Sequence, residues 1–160
     1  MARRCGTVAA VILLLAGCGK KAPVDKVTPV AHDDPRMNAA MAKARSIVGT
    51  FISALQSPKA GQSGFSVKME FTEGKNVEHM WLTSLSYDGR IFQGTVNNQP
   101  AKVKSVKIGQ TVTVERAKIS DWMFIENRKL VGGYTLRALR ETLPPDERAN
   151  FDKSVPFVID

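Results

Sequence analysis

Three side chains carry the groups that acid–base chemistry needs: Glu78, His79 and Asp121. Glu78 and His79 are neighbours in a stretch that reads as a strand. Successive side chains on a strand point to opposite faces, so these two cannot form a dyad with each other. Glu78 shares a face with Met80, and His79 shares one with Trp81. If the strand holding Asp121 lies alongside, Asp121 can meet His79 or Glu78, and an Asp–His pair would orient a general base. The structural alternative is a hydrogen-bonded polar pair at a sheet edge. No serine stands in a G-x-S-x-G setting, so the nucleophile elbow of hydrolases is absent.

A second group suits binding. Trp81, Trp122 and Tyr134 are large aromatics that fit either a core or a groove wall. Arg137 and Arg140 stand three apart on an expected helix, so they share a side and could hold an anion through charge-assisted hydrogen bonds. Gly132-Gly133 precedes that helix, where free backbone N–H groups attract anions. A turn requiring positive φ explains the glycines equally well.

Metal and thiol chemistry have little to work with. The histidines are His32 and His79, with no H-x-x-x-H spacing and no cysteine cluster. No metal site and no cofactor is expected. The two cysteines are Cys5 and Cys18, both near the start. Met1-Ala2-Arg3-Arg4 is a short basic segment, and the uncharged run from Val8 to Ala16 is too short to span a bilayer. The run ends in Leu15-Ala16-Gly17-Cys18, which matches a bacterial lipobox. Residues 1–17 are therefore expected to be a signal peptide, and Cys18 to carry the lipid. Multiple acyl chains, palmitate among them, make such anchoring stable. Gly19 is not the Asp that retains enteric lipoproteins at the inner membrane, which favours the periplasmic face of the outer membrane.

The chain of 160 residues carries a formal charge of +8, of which Arg3 and Arg4 belong to the signal segment. Lys and Arg are dispersed among acids, and no run of five basic residues occurs. Nucleic acid is thus not an expected partner. Mild attraction to an anionic envelope surface is.

The elements that must position these residues follow from periodicity. Residues 18–34 are polar, with Pro23 and Pro29, and read as a flexible tether. Residues 35–160 form one globular domain. Asp34-Pro35 starts a helix, and Met37, Ala40, Met41, Ala44, Ile47, Val48, Phe51 and Leu55 make one continuous apolar stripe up to Ser57-Pro58. Phe65, Val67, Met69 and Phe71 alternate with polar residues as a strand. Strands follow over 77–87 and 91–96, joined at Asp88-Gly89, a pair that type I′ turns prefer. Further strands are expected over 103–108, 111–115 and 119–126, with 129–132 pairing back. Helices are expected over 135–142 and 146–152. The class is α+β: a long N-terminal helix packed on an antiparallel sheet of five or six strands, with one or two short C-terminal helices.

Glu78-His79-Met80-Trp81, Gly94-Thr95-Val96-Asn97 with Pro100, Ile108-Gly109, Ile119-Ser120-Asp121-Trp122-Met123 and Gly132-Gly133-Tyr134-Thr135-Leu136-Arg137 occur in that order. In these the chain resembles the YegJ-like bacterial family, domain of unknown function 2314, over roughly residues 36–143. The resemblance implies a small α+β bacterial domain, often exported, with no established activity and no catalytic residues to carry over. The function expected is a membrane-anchored, non-catalytic envelope module with a possible protein partner. The alternatives are an envelope hydrolase using His79, Asp121 and Glu78, and an immunity-type protein that neutralises an incoming toxin.

Overall fold

The computed structural model describes residues 34–160. The signal segment, Cys18, His32 and the tether up to residue 33 lie outside the described residues. The Asp34 carboxylate accepts the backbone N–H groups of Arg36 and Met37 at 2.8 and 3.4 Å, and Pro35 takes the first helical position, so helix α1 runs Pro35–Ser46.

The long helix expected from the apolar stripe is in fact two short ones. Helix α2 runs Val48–Gln56, and Ile47 between them leaves helical geometry at φ −121°. The cause is a donor inserted into the ladder: the Trp122 indole N–H gives its hydrogen bond to the Ala44 carbonyl at 2.9 Å. The stripe survives the break, and Ala44, Val48 and Phe51 are buried in the core.

Six antiparallel strands follow: β1 Gln62–Glu73, β2 Asn76–Tyr87, β3 Ile91–Val96, β4 Thr111–Glu115, β5 Ile119–Glu126 and β6 Lys129–Gly132. Their order is β4-β3-β2-β1-β5-β6. Helix α3 is Tyr134–Thr142 and helix α4 is Pro145–Ser154. Expected and observed turns differ in detail. Asp88-Gly89-Arg90 is a three-residue loop in which the Asp88 carboxylate accepts from Arg90 and Ile91 N–H, both at 2.8 Å. Both central residues of the β5–β6 turn have positive φ, as type I′ requires, and they are Asn127 at 48° and Arg128 at 68°.

The segment 103–108 is not a strand. Carboxylates have taken the backbone donors a ladder would need: Glu78 binds the N–H groups of Ala101, Lys102 and Val103, and Glu73 binds that of Lys104. The alternation that suggested a strand instead buries Val103 and packs Val106 on the core.

A short link dictates the sheet's shape. Only the 3-10 turn Arg116–Lys118 joins β4 to β5, although three strands lie between them. In a flat sheet the two would stand about 19 Å apart. Four residue steps reach at most about 14 Å. The sheet must therefore curl, and twist accumulated over four pairings, about 80–100°, turns the end of β4 towards the start of β5. Helix α2 fills the concave side. The Phe51 ring lies 6.1 Å from Phe65 on β1, 6.3 Å from Phe92 on β3 and 5.6 Å from Trp122 on β5. Phe51 is thus the point where the curled strands meet. Replacing it by alanine leaves a cavity bounded by three strands that cannot close independently. Phe51→Ala is expected to cost about 3–5 kcal/mol, measured as a fall in the urea midpoint; a loss below about 1 kcal/mol would contradict this account of the core.

Candidate functional site

The registers of β2, β1 and β5 bring Trp81, Lys68 and Asp121 into one row across the sheet: Lys68 stands opposite Trp81 on one side and Asp121 on the other. Directly opposed residues share a face. This face is the convex one, away from the cluster that holds Ala44, Val48 and Phe51. His79 and Glu70 form the adjacent row. Trp81, Lys68, His79, Glu70 and Met123 are all half-buried.

Asp121 is fully buried, and its carboxylate is the most heavily bonded group of the site. One oxygen accepts from the N–H groups of Trp122 at 2.8 Å and Tyr134 at 3.1 Å. The other accepts from the Thr135 N–H at 2.7 Å and the Thr135 hydroxyl at 2.6 Å. The donors from Tyr134 and Thr135 are orphan N–H groups of the first turn of α3, so the helix N-terminus binds an anion supplied by its own chain. The two glycines make this approach possible. Gly132 and Gly133 have φ of 76° and 64°, and a Cβ on Gly132 would strike the Trp122 carbonyl and ring. Burial pushes the Asp121 carboxyl above its ordinary range, against the pull of the Thr135 hydroxyl and N–H, the Trp122 N–H and Lys68.

Lys68 Nζ lies 3.4 Å from the Thr135 hydroxyl oxygen, which relays it to Asp121, and 5.6 Å from the centre of the Trp81 ring. Burial lowers the Lys68 ammonium below its usual pKa, and the Asp121 charge resists that fall. The result is a polarised platform on which an aromatic ring is backed by a partly desolvated cation.

The other sequence candidates fall elsewhere. Glu78 is on the concave face, buried beneath the loop 97–110, as its alternation with His79 requires. It therefore shares no surface with His79 or Asp121, and the three do not form one acid–base set. Asp121 and His79 belong to different rows, and two strand spacings, about 10 Å, separate their strands. Burial works to raise the Glu78 pKa, but the N–H groups of Lys102, Ala101 and Val103 overcome it and hold the carboxyl below its usual range. Trp122 is core and Tyr134 packs edge-on against it at 5.7 Å. The two arginines do not converge on a shared anion. Arg137 donates to the carbonyls of Gly132, Leu130 and Asp160, and Arg140 is paired through two hydrogen bonds with Asp152 at 2.6 and 2.8 Å. Lys68 and Thr135 were not singled out by the sequence. The register of β1 against β5 sets Lys68 opposite Asp121, and the first turn of α3 brings Thr135 to it; neither is visible in local pattern.

Among the described residues no group of three His, Cys, Asp or Glu side chains could hold a metal ion, and no helix is long and apolar enough to cross a membrane.

Residues 34–158 match the model of a family of uncharacterized proteins conserved in bacteria, DUF2314. The chain belongs to the DUF2314 family. It is 32% identical to the uncharacterized protein YegJ of Escherichia coli strain K12 over 136 residues, 85% of this chain and 88% of that one. It is also 38% identical over 80 residues to a Neisseria meningitidis serogroup B protein named for ankyrin repeats, covering 50% of this chain and 32% of that protein. No solved structure matches the DUF2314 chain. The Asp121 network spans residues 68–135, so it lies wholly inside the matched region.

Two consequences can be measured. Asp121→Asn replaces one acceptor oxygen by an N–H donor that faces backbone donors, and is expected to cost about 3 kcal/mol or more. A urea midpoint within about 1 kcal/mol of the parent would contradict the role given to Asp121. Glu78→Ala strands three N–H groups and is expected to cost at least about 2 kcal/mol at neutral pH. Because the folded pKa of Glu78 is depressed, its contribution is complete above the ordinary Glu value of about 4.3 and disappears as pH falls through the lower folded value. The stability gap between parent and variant should therefore close on acidification; a gap that widens would reverse the sign.

Proposed function

We propose that this chain is a non-catalytic envelope lipoprotein, anchored through Cys18 at the periplasmic face of the outer membrane, that binds a protein partner through the convex sheet face around Trp81 and Lys68. One observation carries the reading. The two carboxylates best placed for chemistry by sequence, Glu78 and Asp121, are consumed by three and four internal hydrogen bonds. Trp81 and Lys68 keep part of their surface in water. Tryptophan is among the side chains enriched at the energetic centres of protein interfaces. The family relationship supports the same direction. A segment 38% identical to half of this chain occurs within a longer Neisseria protein named for ankyrin repeats, and such repeats stack into extended binding surfaces. The lipobox ending in Cys18 supports the anchor, and the residues up to position 33 are long enough to hold the domain clear of a membrane.

The test uses the full-length chain expressed in its native host. Partners retained from solubilised envelopes are compared between the parent and Trp81→Ala. The variant is expected to lose the specific partner while its unfolding free energy changes by no more than about 1 kcal/mol. Equal retention by both proteins would remove the convex face from the proposal. Mass spectrometry of the same material is expected to show an acylated N-terminal Cys18; an intact Met1 terminus would refute the anchor independently.

A further inference from the structure

The two edges of the sheet are finished differently. β6 is covered by the chain's own C-terminal segment: Val158 bridges Lys129, the Leu130 N–H donates to the Val158 carbonyl at 2.9 Å, and the Val158 N–H donates to the Arg128 carbonyl at 2.8 Å. β4, at the other edge, pairs with β3 alone. The ladder between β3 and β4 decides which backbone groups point outward. At one end the Val96 N–H donates to the Gln110 carbonyl at 2.9 Å, and at the other the Arg116 N–H donates to the Arg90 carbonyl at 3.3 Å. The register between these ends is unbroken, with Gly94 opposite Val112 and Phe92 opposite Val114. Hydrogen-bonded pairs recur at every second residue of an antiparallel ladder. Val112 and Val114 therefore direct their N–H and C=O groups at β3, and Thr111, Thr113 and Glu115 direct theirs away from the sheet. These three residues are exposed, and among the described residues nothing bonds to their outward backbone groups. Lysine, proline, a bulge or a covering segment commonly blocks such an edge. Among the described residues β4 has none of these.

We propose that β4 pairs with β4 of a second copy of this chain, antiparallel about a two-fold axis at Thr113, so that two sheets become one. The strand is its own complement in this register. Thr113 faces its counterpart and Thr111 faces Glu115, and each such pair exchanges N–H and C=O in both directions. Three outward residues on each copy thus close about six hydrogen bonds. Val112 falls opposite Val114, a pair of β-branched side chains that suits a sheet. No like charges are opposed. An axis at Glu115 would set two carboxylates face to face, and a slip of one residue would set outward groups against Val112 and Val114, whose own groups are turned to β3. The covered β6 edge limits the assembly to two. A head-to-tail contact of β4 with β6 would propagate without closing, whereas one bare edge on each copy closes as an isologous dimer. The contact is smaller than a standard interface, so the association is weak. Trp81 stands on β2, two strands in from this edge, and the pairing does not rest on the convex-face reading.

The experiment is cysteine cross-linking of the full-length chain in mild detergent, in a background carrying Cys5→Ser and Cys18→Ser. The Cα atoms of a hydrogen-bonded antiparallel pair lie about 5.5 Å apart, within disulfide reach. The counterparts of Thr111 and of Glu115 are displaced along the strand by about 14 Å. Under mild oxidation Thr113→Cys is therefore expected to form a disulfide dimer at least about tenfold faster than Thr111→Cys or Glu115→Cys. A mixture of Thr111→Cys and Glu115→Cys is expected to link one to the other faster than either links to itself. Equal rates for the three single variants, or no mixed dimer, would overturn the proposal. Sedimentation velocity on the background chain is expected to show a monomer passing to a dimer as its concentration approaches millimolar. Thr113→Pro removes an outward N–H without taking a bond from the ladder, and is expected to stay monomeric. Thr113→Lys sets two like charges opposite each other and is expected to weaken association at least about tenfold with an unchanged melting temperature, which decides the matter if the proline variant unfolds. A background chain that is monomeric at millimolar concentration, or a dimer of undiminished affinity in Thr113→Lys, would overturn the pairing.

Discussion

The start of α3 and the middle of β5 are joined by one carboxylate, and much of the molecule is arranged around that fact. A helix N-terminus presents unpaired N–H groups, and a buried carboxylate demands donors. Asp121 satisfies both requirements at once. For the two to meet, the chain must leave β6 without side chains at Gly132 and Gly133, both in left-handed conformations. Trp122, next to Asp121, is then directed to the opposite face, where its indole N–H interrupts the N-terminal helix. One residue of β5 thus fixes the C-terminal helix and the next divides the N-terminal one. The conjunction of Asp121, Trp122 and the glycine pair gives the middle of the domain a single solution.

A second carboxylate works in the same manner on a different part. Glu78 holds the loop 97–110 through three consecutive N–H groups, so an irregular segment is tied down without a ladder. Both acids have the burial and the side-chain type of catalytic groups. Their bonds show a different use, in which charge stabilises backbone that has no other partner. An acid buried beside exposed N–H groups is therefore weak grounds for assigning chemistry until its donors have been identified.

Much of the architecture was legible from residue pattern. The α+β class, the alternation of β1, the opposite faces of Glu78 and His79, and the two C-terminal helices all follow from periods of 2 and 3.6. Those are local rules, and they worked where local rules decide. They did not show that Val103 lies in a loop, because the donors of that segment are captured by Glu78 and Glu73 from another strand. They did not divide the helix at Ile47, because the cause is the Trp122 indole N–H on Ala44, far away in sequence. The pairing of Lys68 with Asp121 was hidden for the same reason. Arg137 and Arg140 were read correctly as lying three apart on a helix, but their acceptors, the Leu130 and Asp160 carbonyls and Asp152, belong to other elements. The helix break, the loop at Val103 and the Lys68–Asp121 pairing each mark a contact between residues remote in the chain.

The link Arg116–Lys118 has a consequence for how the sequence can change. Most surface connections tolerate added or removed residues, since they are not under geometric demand. The loop over Glu78 has length to spare. The corner does not: it already spans less than a flat sheet would ask, and its compact turn leaves little slack. Deleting one residue there would pull β4 and β5 further together than the four pairings between them can bend. Lengthening it would relax the curl around Phe51. The three residues of this turn thus act as the gauge that sets the radius of the whole sheet.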